Sequence, residues 1–134
     1  MDRTILLRIV TPDRQVVRED VEEIQAPGRE GYLGILPGHA PLLSELKPGE
    51  MSYRQGREVR RLALGGGYLE VLPEQVTVLA ETAERPEDID TARARAAKER
   101  AERRLKSSDP DVDLNRASVA LERALIRLQV ASRH

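Results

Sequence analysis

Residues 31–43 read GYLGILPGHAPLL. Three glycines, two prolines and one histidine are interleaved there with five large aliphatics, a spacing no helix can use. Gly31, Gly34 and Gly38 permit positive φ, Pro37 and Pro41 fix φ and remove donors, and the apolar residues between them need a surface to bury against. The stretch therefore predicts a rigid loop packed on a β core.

Working outward, the first part of the chain is made of short aliphatic runs. Residues 4–11 (TILLRIVT), 16–26 (VVREDVEEIQA), 51–54, 59–64 (VRRLAL), 68–72 (YLEVL) and 76–82 (VTVLAET) are rich in β-branched residues or Leu. Turn-forming clusters separate them: PDRQ, PGREG, KPGE, RQG, GGG and PEQ. Runs this short and regular predict an antiparallel β-sandwich or barrel. The sharpest hairpin is 68–72 with 76–82, joined by Pro73-Glu74-Gln75.

Past residue 84 the pattern changes to long Ala- and Arg-rich stretches. Pro86 suits a first helical position, with Glu87, Asp88 and Asp90 in the opening turn, where carboxylates favour the positive end of the dipole. A helix over about 86–106 follows, Ser107-Ser108-Asp109-Pro110 breaks it, and Asp113 is an N-cap for a second helix to about residue 131. The fold class predicted is thus a two-part α+β chain, an N-terminal antiparallel β-sandwich (1–84) followed by a C-terminal antiparallel two-helix hairpin (85–134).

The expected seam of that hairpin is mostly alanine: Ile89, Ala92, Ala96, Ala97, Ala101 and Leu105 against Ala117, Leu121, Ala124, Leu125 and Leu128. One buried methyl contributes far less than the about 1.5–3 kcal/mol of a buried Leu, so helices form more readily than they dock. The hairpin reads as a marginal arm that a ligand or partner can bias. Asp90, Arg93, Arg100 and Arg104 share one face of the first helix, and Arg116, Arg123 and Arg127 share one face of the second. Either an anion meets these forks, or the faces are solvated and laced by pairs such as Glu99–Arg103 and Lys98–Glu102.

Composition narrows the function. The chain has 134 residues, three Tyr, no Phe, Trp or Cys, and a net charge of −1, so its core must be aliphatic and thiol chemistry is excluded. A balanced charge without stacking aromatics gives no reason to expect nucleic acid. The two histidines, His39 and His134, are too far apart in sequence to suggest a metal site. No run approaches the roughly 20 apolar residues of a membrane span. Gly65-Gly66-Gly67 lacks the Lys and Ser/Thr of a phosphate-binding P-loop and reads as a β-turn, and no hydrolytic machinery accompanies it.

Taken together, APGREGYLGILPGHAPLLSELKPGE at 26–50, LGGGYLEVLPEQVTVLAETA at 64–83 and the helical tail resemble the epsilon subunits of the bacterial F-type proton-translocating ATP synthase. The helical segment adds IDTARA at 89–94, similar to the pattern through which some bacterial epsilon subunits bind ATP. The resemblance implies a non-catalytic central-stalk subunit that couples proton translocation to ATP synthesis and restrains ATP hydrolysis through its hairpin. Its implied partners are the gamma subunit, the c ring and, when the hairpin extends, the catalytic alpha and beta subunits.

Implied too is a peripheral place at the cytoplasmic face of the bacterial membrane. No cofactor is required; ATP is the candidate regulatory ligand. Carried over by position, Glu84, Ile89, Asp90 and Ala94 surround the adenosine moiety, and Arg93, Arg100, Arg123 and Arg127 lie near the ligand and its phosphates. Glu30, Tyr32, Gly34 and His39 belong to the region that meets the c ring, with Tyr32 standing where some relatives carry an acidic residue. A stand-alone ATP sensor, or a scaffold with a β domain and a helical arm, remains the alternative from patterning alone.

Overall fold

A computed structural model describes residues 3–133, so His134 lies outside the described residues. The chain divides into two compact units between Glu84 and Arg85.

The first unit is a ten-stranded sheet. Its strands are β1 (Ile5–Val10), β2 (Gln15–Val21), β3 (Glu23–Gly28), β4 (Gly31–Ile35), β5 (Leu42–Leu46), β6 (Gly49–Gln55), β7 (Glu58–Leu64), β8 (Gly67–Val71), β9 (Gln75–Ala80) and β10 (Ala83–Glu84). They lie in the order β10-β7-β6-β3-β5-β8-β9-β1-β2, with β4 paired to β3. All pairs are antiparallel except β1 with β9, which run parallel from Leu6–Gln75 to Val10–Leu79. A single bridge, Gly28–Leu46, joins β3 to β5.

Alternation fills the space between the layers. Ile5, Leu7 and Ile9 of β1, Leu69 and Val71 of β8, Val76 and Val78 of β9, and Leu62 and Leu64 of β7 are buried in one core with Met51 and Tyr53 of β6. Gly67 is required by close approach: its φ is +141°, and a Cβ there would collide with the Leu79 carbonyl of the neighbouring strand.

Three sequence expectations are corrected here. GYLGILPGHAPLL is not one loop. Gly31–Ile35 and Leu42–Leu46 are strands, and only residues 36–41 connect them. The run 16–26 is not one strand either, because it breaks at Glu22 into β2 and β3, which pair with different neighbours. The break is held by a carboxylate. Glu22 Oε1 accepts from Gly56 N at 2.8 Å and Oε2 from Arg54 Nη1 at 2.7 Å, clamping the bend to the β6–β7 turn. Those hydrogen bonds, from Gly56 first and then Arg54, hold the Glu22 pKa below its ordinary 4.5.

The third correction concerns the helices. Pro86–Asp88 forms only a 3-10 turn, and α1 (Thr91–Leu105) begins after Asp90, whose carboxylate is the N-cap and not part of the opening turn: it accepts from Arg93 N at 3.1 Å. The second helix, α2 (Leu114–Ser132), starts at the expected cap, Asp113, which accepts from Arg116 N at 3.1 Å. The two helices pack as a hairpin whose buried residues are Ala94 and Ala101 on α1 and Ala117, Ala124 and Val130 on α2. Ala92, Ala96, Leu105 and Leu125, expected in the seam, are exposed. With 3.6 residues per turn, Ala94 and Ala101 define the contact line of α1, and Ala92 and Ala96 point away from it.

Candidate functional site

In the β unit, the β3–β4 turn and β5 enclose a cleft of about 440 Å³ lined by residues 28–33 and 42–45. Glu30 and Tyr32 are brought to it; Gly34 sits further along β4, and His39 in the connection to β5, outside its lining. The ion pair Arg29–Glu45 (2.8 Å) spans the cleft's lining. Tyr32 donates its hydroxyl to Glu50 O, beyond β3, at 2.8 Å, and the residue is 56% exposed. The His39 ring is turned onto its own loop, with Nδ1 2.6 Å from Ala40 O, and Gly38 N ties the same loop to Pro73 O.

Sequence reading missed a second surface. On the outer face of β5, β8 and β9, Leu43, Tyr68 and Leu79 are 77%, 63% and 55% exposed. Tyr68 lies directly opposite Leu79, and Leu43 is diagonal to Tyr68 through the Leu43–Glu70 register. The signal was available, since in YLEVL and VTVLA the inward phase is taken by Leu69, Val71, Val76 and Val78, so Tyr68 and Leu79 must face outward. Together the three form an exposed apolar row on that face.

In the helical unit, Arg93, Arg100 and Arg104 fall about 80–120° to one side of the Ala94–Ala101 line. Arg116, Arg123 and Arg127 fall about 80–120° to the same-signed side of Ala117–Ala124. When two helices run antiparallel and face each other, equal-signed flanks lie on the same side of the pair. The six guanidiniums therefore share one face of the hairpin. Among the described residues neither Glu99–Arg103 nor Lys98–Glu102 closes, while Arg29–Glu45, Arg54–Glu22, Arg54–Glu23, Arg60–Glu58 and Arg61–Glu50 are ion pairs of the β unit.

The remaining candidates are placed as follows. Ile89 and Ala94 are buried, Ala94 in the helix seam, and Asp90 spends one carboxylate oxygen on its cap. Glu84 is in the β unit, on β10 opposite Ala63. Among the described residues no three His, Cys, Asp or Glu side chains gather as a metal site, and no helix is long and apolar enough to cross a membrane.

The chain is thus a two-part protein, a β-sandwich with an exposed apolar row and a cleft followed by an arginine-faced helical hairpin. Residues 4–86 match the ATP synthase delta/epsilon chain β-sandwich domain, and residues 87–132 its long α-helix domain. The chain belongs to the ATP synthase delta/epsilon family. It is 51% identical over 133 residues to the ATP synthase epsilon chain of Syntrophobacter fumaroxidans, covering 99% of each. To that of Koribacter versatilis it is 58% identical over 111 residues, 83% of this chain and 78% of the other. Its fold matches a chain of the Euglena gracilis mitochondrial ATP synthase assembly of OSCP, F1 and c ring, with TM-score 0.82 and 27% identity over 98% of this chain and 82% of that one.

Proposed function

We propose that this protein is a non-catalytic rotor subunit of the central stalk of an F-type ATP synthase, in which the β unit docks and the hairpin regulates. The observation that carries this reading is the full-length relationship to bacterial ATP synthase epsilon chains, spanning both units. It is supported by the fold match to an assembly described as containing F1 and the c ring.

In this reading the apolar row of Leu43, Tyr68 and Leu79 is the gamma-subunit contact, because an aliphatic and aromatic strip suits a lasting interface. The cleft region, with Glu30, Tyr32, Gly34 and His39, meets the c ring, Tyr32 through its exposed ring. The subunit is peripheral, at the cytoplasmic face of a bacterial membrane, and proton coupling runs through those partners.

The hairpin binds ATP in its closed form. Arg93, Arg100, Arg123 and Arg127 supply always-charged, bidentate donors on one face for the phosphates. Near the N-terminus of α1, Ile89, Asp90 and Ala94 set the adenosine end, with Asp90's second carboxylate oxygen as acceptor. At ten times its dissociation constant the nucleotide contributes about 1.4 kcal/mol, enough to move a balanced closed–open equilibrium about tenfold. High ATP keeps the hairpin closed; low ATP releases it toward the catalytic subunits as a brake on hydrolysis.

Copurification tests the docking half: gamma and c subunits should accompany the tagged chain, and Tyr68→Asp should release gamma. Recovery of the chain alone from membranes rich in ATP synthase would contradict it. For the regulatory half, Arg93→Ala and Arg127→Ala should each weaken ATP binding about tenfold by calorimetry while the β unit stays folded. Unchanged affinity would remove them from the site.

A further inference from the structure

The tip of the hairpin, where α1 hands over to α2, carries a notch of about 330 Å³ lined by Arg104, Asp111, Val112, Asp113, Arg116 and Ala117. Its walls are fixed by their own hydrogen bonds: Asp109 N to Ser107 Oγ (3.1 Å), Asp111 N to Asp109 Oδ1 (2.9 Å), Val112 N to Asp109 O (3.2 Å) and Arg116 N to Asp113 Oδ1 (3.1 Å). Arg104 comes from the last turn of α1 and Arg116 from the first turn of α2. Neither guanidinium has a carboxylate partner among the described residues, although Asp111 and Asp113 line the same notch.

We infer that this notch is a binding site for a protonated phosphate oxyanion, distinct from the nucleotide residues proposed above, and that its occupation ties the two helices together. The mixed lining selects the ligand. Two guanidiniums offer paired N–H donors to phosphoryl oxygens. Asp113 holds its cap through Oδ1 alone and keeps Oδ2, while both carboxylate oxygens of Asp111 are left, which makes Asp111 the principal acceptor. Inorganic phosphate near neutral pH keeps a P–OH that can donate to Asp111 while its other oxygens accept from Arg104 and Arg116, whereas the terminal phosphate of a nucleotide has largely lost that proton. Sulfate offers the same shape and charge without that donor, and would set its oxygens against the Asp111 carboxylate. With formal charges on the lining side chains cancelling, attraction alone does not hold an anion; the donor–acceptor match does. The ligand is therefore free inorganic phosphate.

The test uses the full chain, labelled for NMR, titrated at constant ionic strength with inorganic phosphate, sulfate and ATP in separate arms. Phosphate should shift the amides of residues 111–117 and the side chains of Arg104 and Arg116 saturably, with sulfate about tenfold weaker or more. Arg104→Gln and Arg116→Gln should each abolish the shifts, Arg95→Gln should not, and Asp111→Asn should erase the preference over sulfate. Shifts from phosphate identify the free ion as a ligand. Equal responses to phosphate and sulfate in the wild type, shifts that persist in Arg104→Gln, shifts at the tip from ATP alone, or silence of the tip in the phosphate arm would overturn the site. Because Arg93→Gln leaves the notch intact, failure of the nucleotide reading and failure of this one are separately visible.

Discussion

The β unit closes on Ile5, Leu7, Ile9, Met51, Tyr53, Leu69 and Val78, whereas the helical unit closes chiefly on Ala94, Ala101, Ala117 and Ala124. Each buried CH₂ is worth about 0.8 kcal/mol, so a core of branched aliphatics holds where a seam of single methyls barely docks. The difference suits the proposed division of work: a body that carries partners without deforming, and an arm whose closure a ligand decides.

That contrast can be broken from the β side first. Leu7→Ala, at a fully buried position, should destabilise the sandwich by about 2–5 kcal/mol, measured by urea unfolding of the full chain. A loss below about 1 kcal/mol would mean the two cores are not different in kind. Gly67→Ala comes next. Positive φ alone costs about 1–3 kcal/mol for a side chain there, and the collision with the Leu79 carbonyl adds to it. A variant with wild-type thermal stability would refute the close approach of β8 and β9.

On the helical side, Asp113→Ala removes the cap of α2 and should cost about 1 kcal/mol. The loss should appear as reduced helical circular dichroism with the β unit's unfolding midpoint unchanged, and a shifted midpoint would show that the units are one cooperative body. The smallest effect is a pH dependence. Because the folded Glu22 pKa lies below its unfolded value, its contribution is present above the ordinary 4.5 and is lost as pH falls through the folded value. Glu22→Gln should therefore flatten the acid limb of the β unit's stability profile. An unaltered limb would assign that limb to other carboxylates.

How much of this was legible in the sequence depends on whether the cause was local. Asp113 announced α2 because a cap is a contact between neighbours in the chain, and Pro73-Glu74-Gln75 announced the β8–β9 hairpin for the same reason. VVREDVEEIQA hid its break because the Glu22 clamp reaches Arg54 and Gly56, which no local pattern shows. GYLGI looked like loop because its glycines outweighed its alternation, and pairing with β3 decided otherwise. The arginine face was readable from 100° steps, but only the antiparallel pairing puts both helices' arginines on one side. The outward row of Leu43, Tyr68 and Leu79 was readable and overlooked, since apolar residues in strands are so readily assigned to the core.

Hydrogen exchange of the full chain, with and without ATP, tests the unequal closure of body and arm most directly. Amides of residues 94–104 and 117–128 should exchange far faster than those of Leu7, Leu69 and Val78 without nucleotide, and slow markedly when ATP is added while the β amides do not change. Helical amides as protected as the sandwich core in the absence of ATP, and indifferent to its addition, would contradict the account.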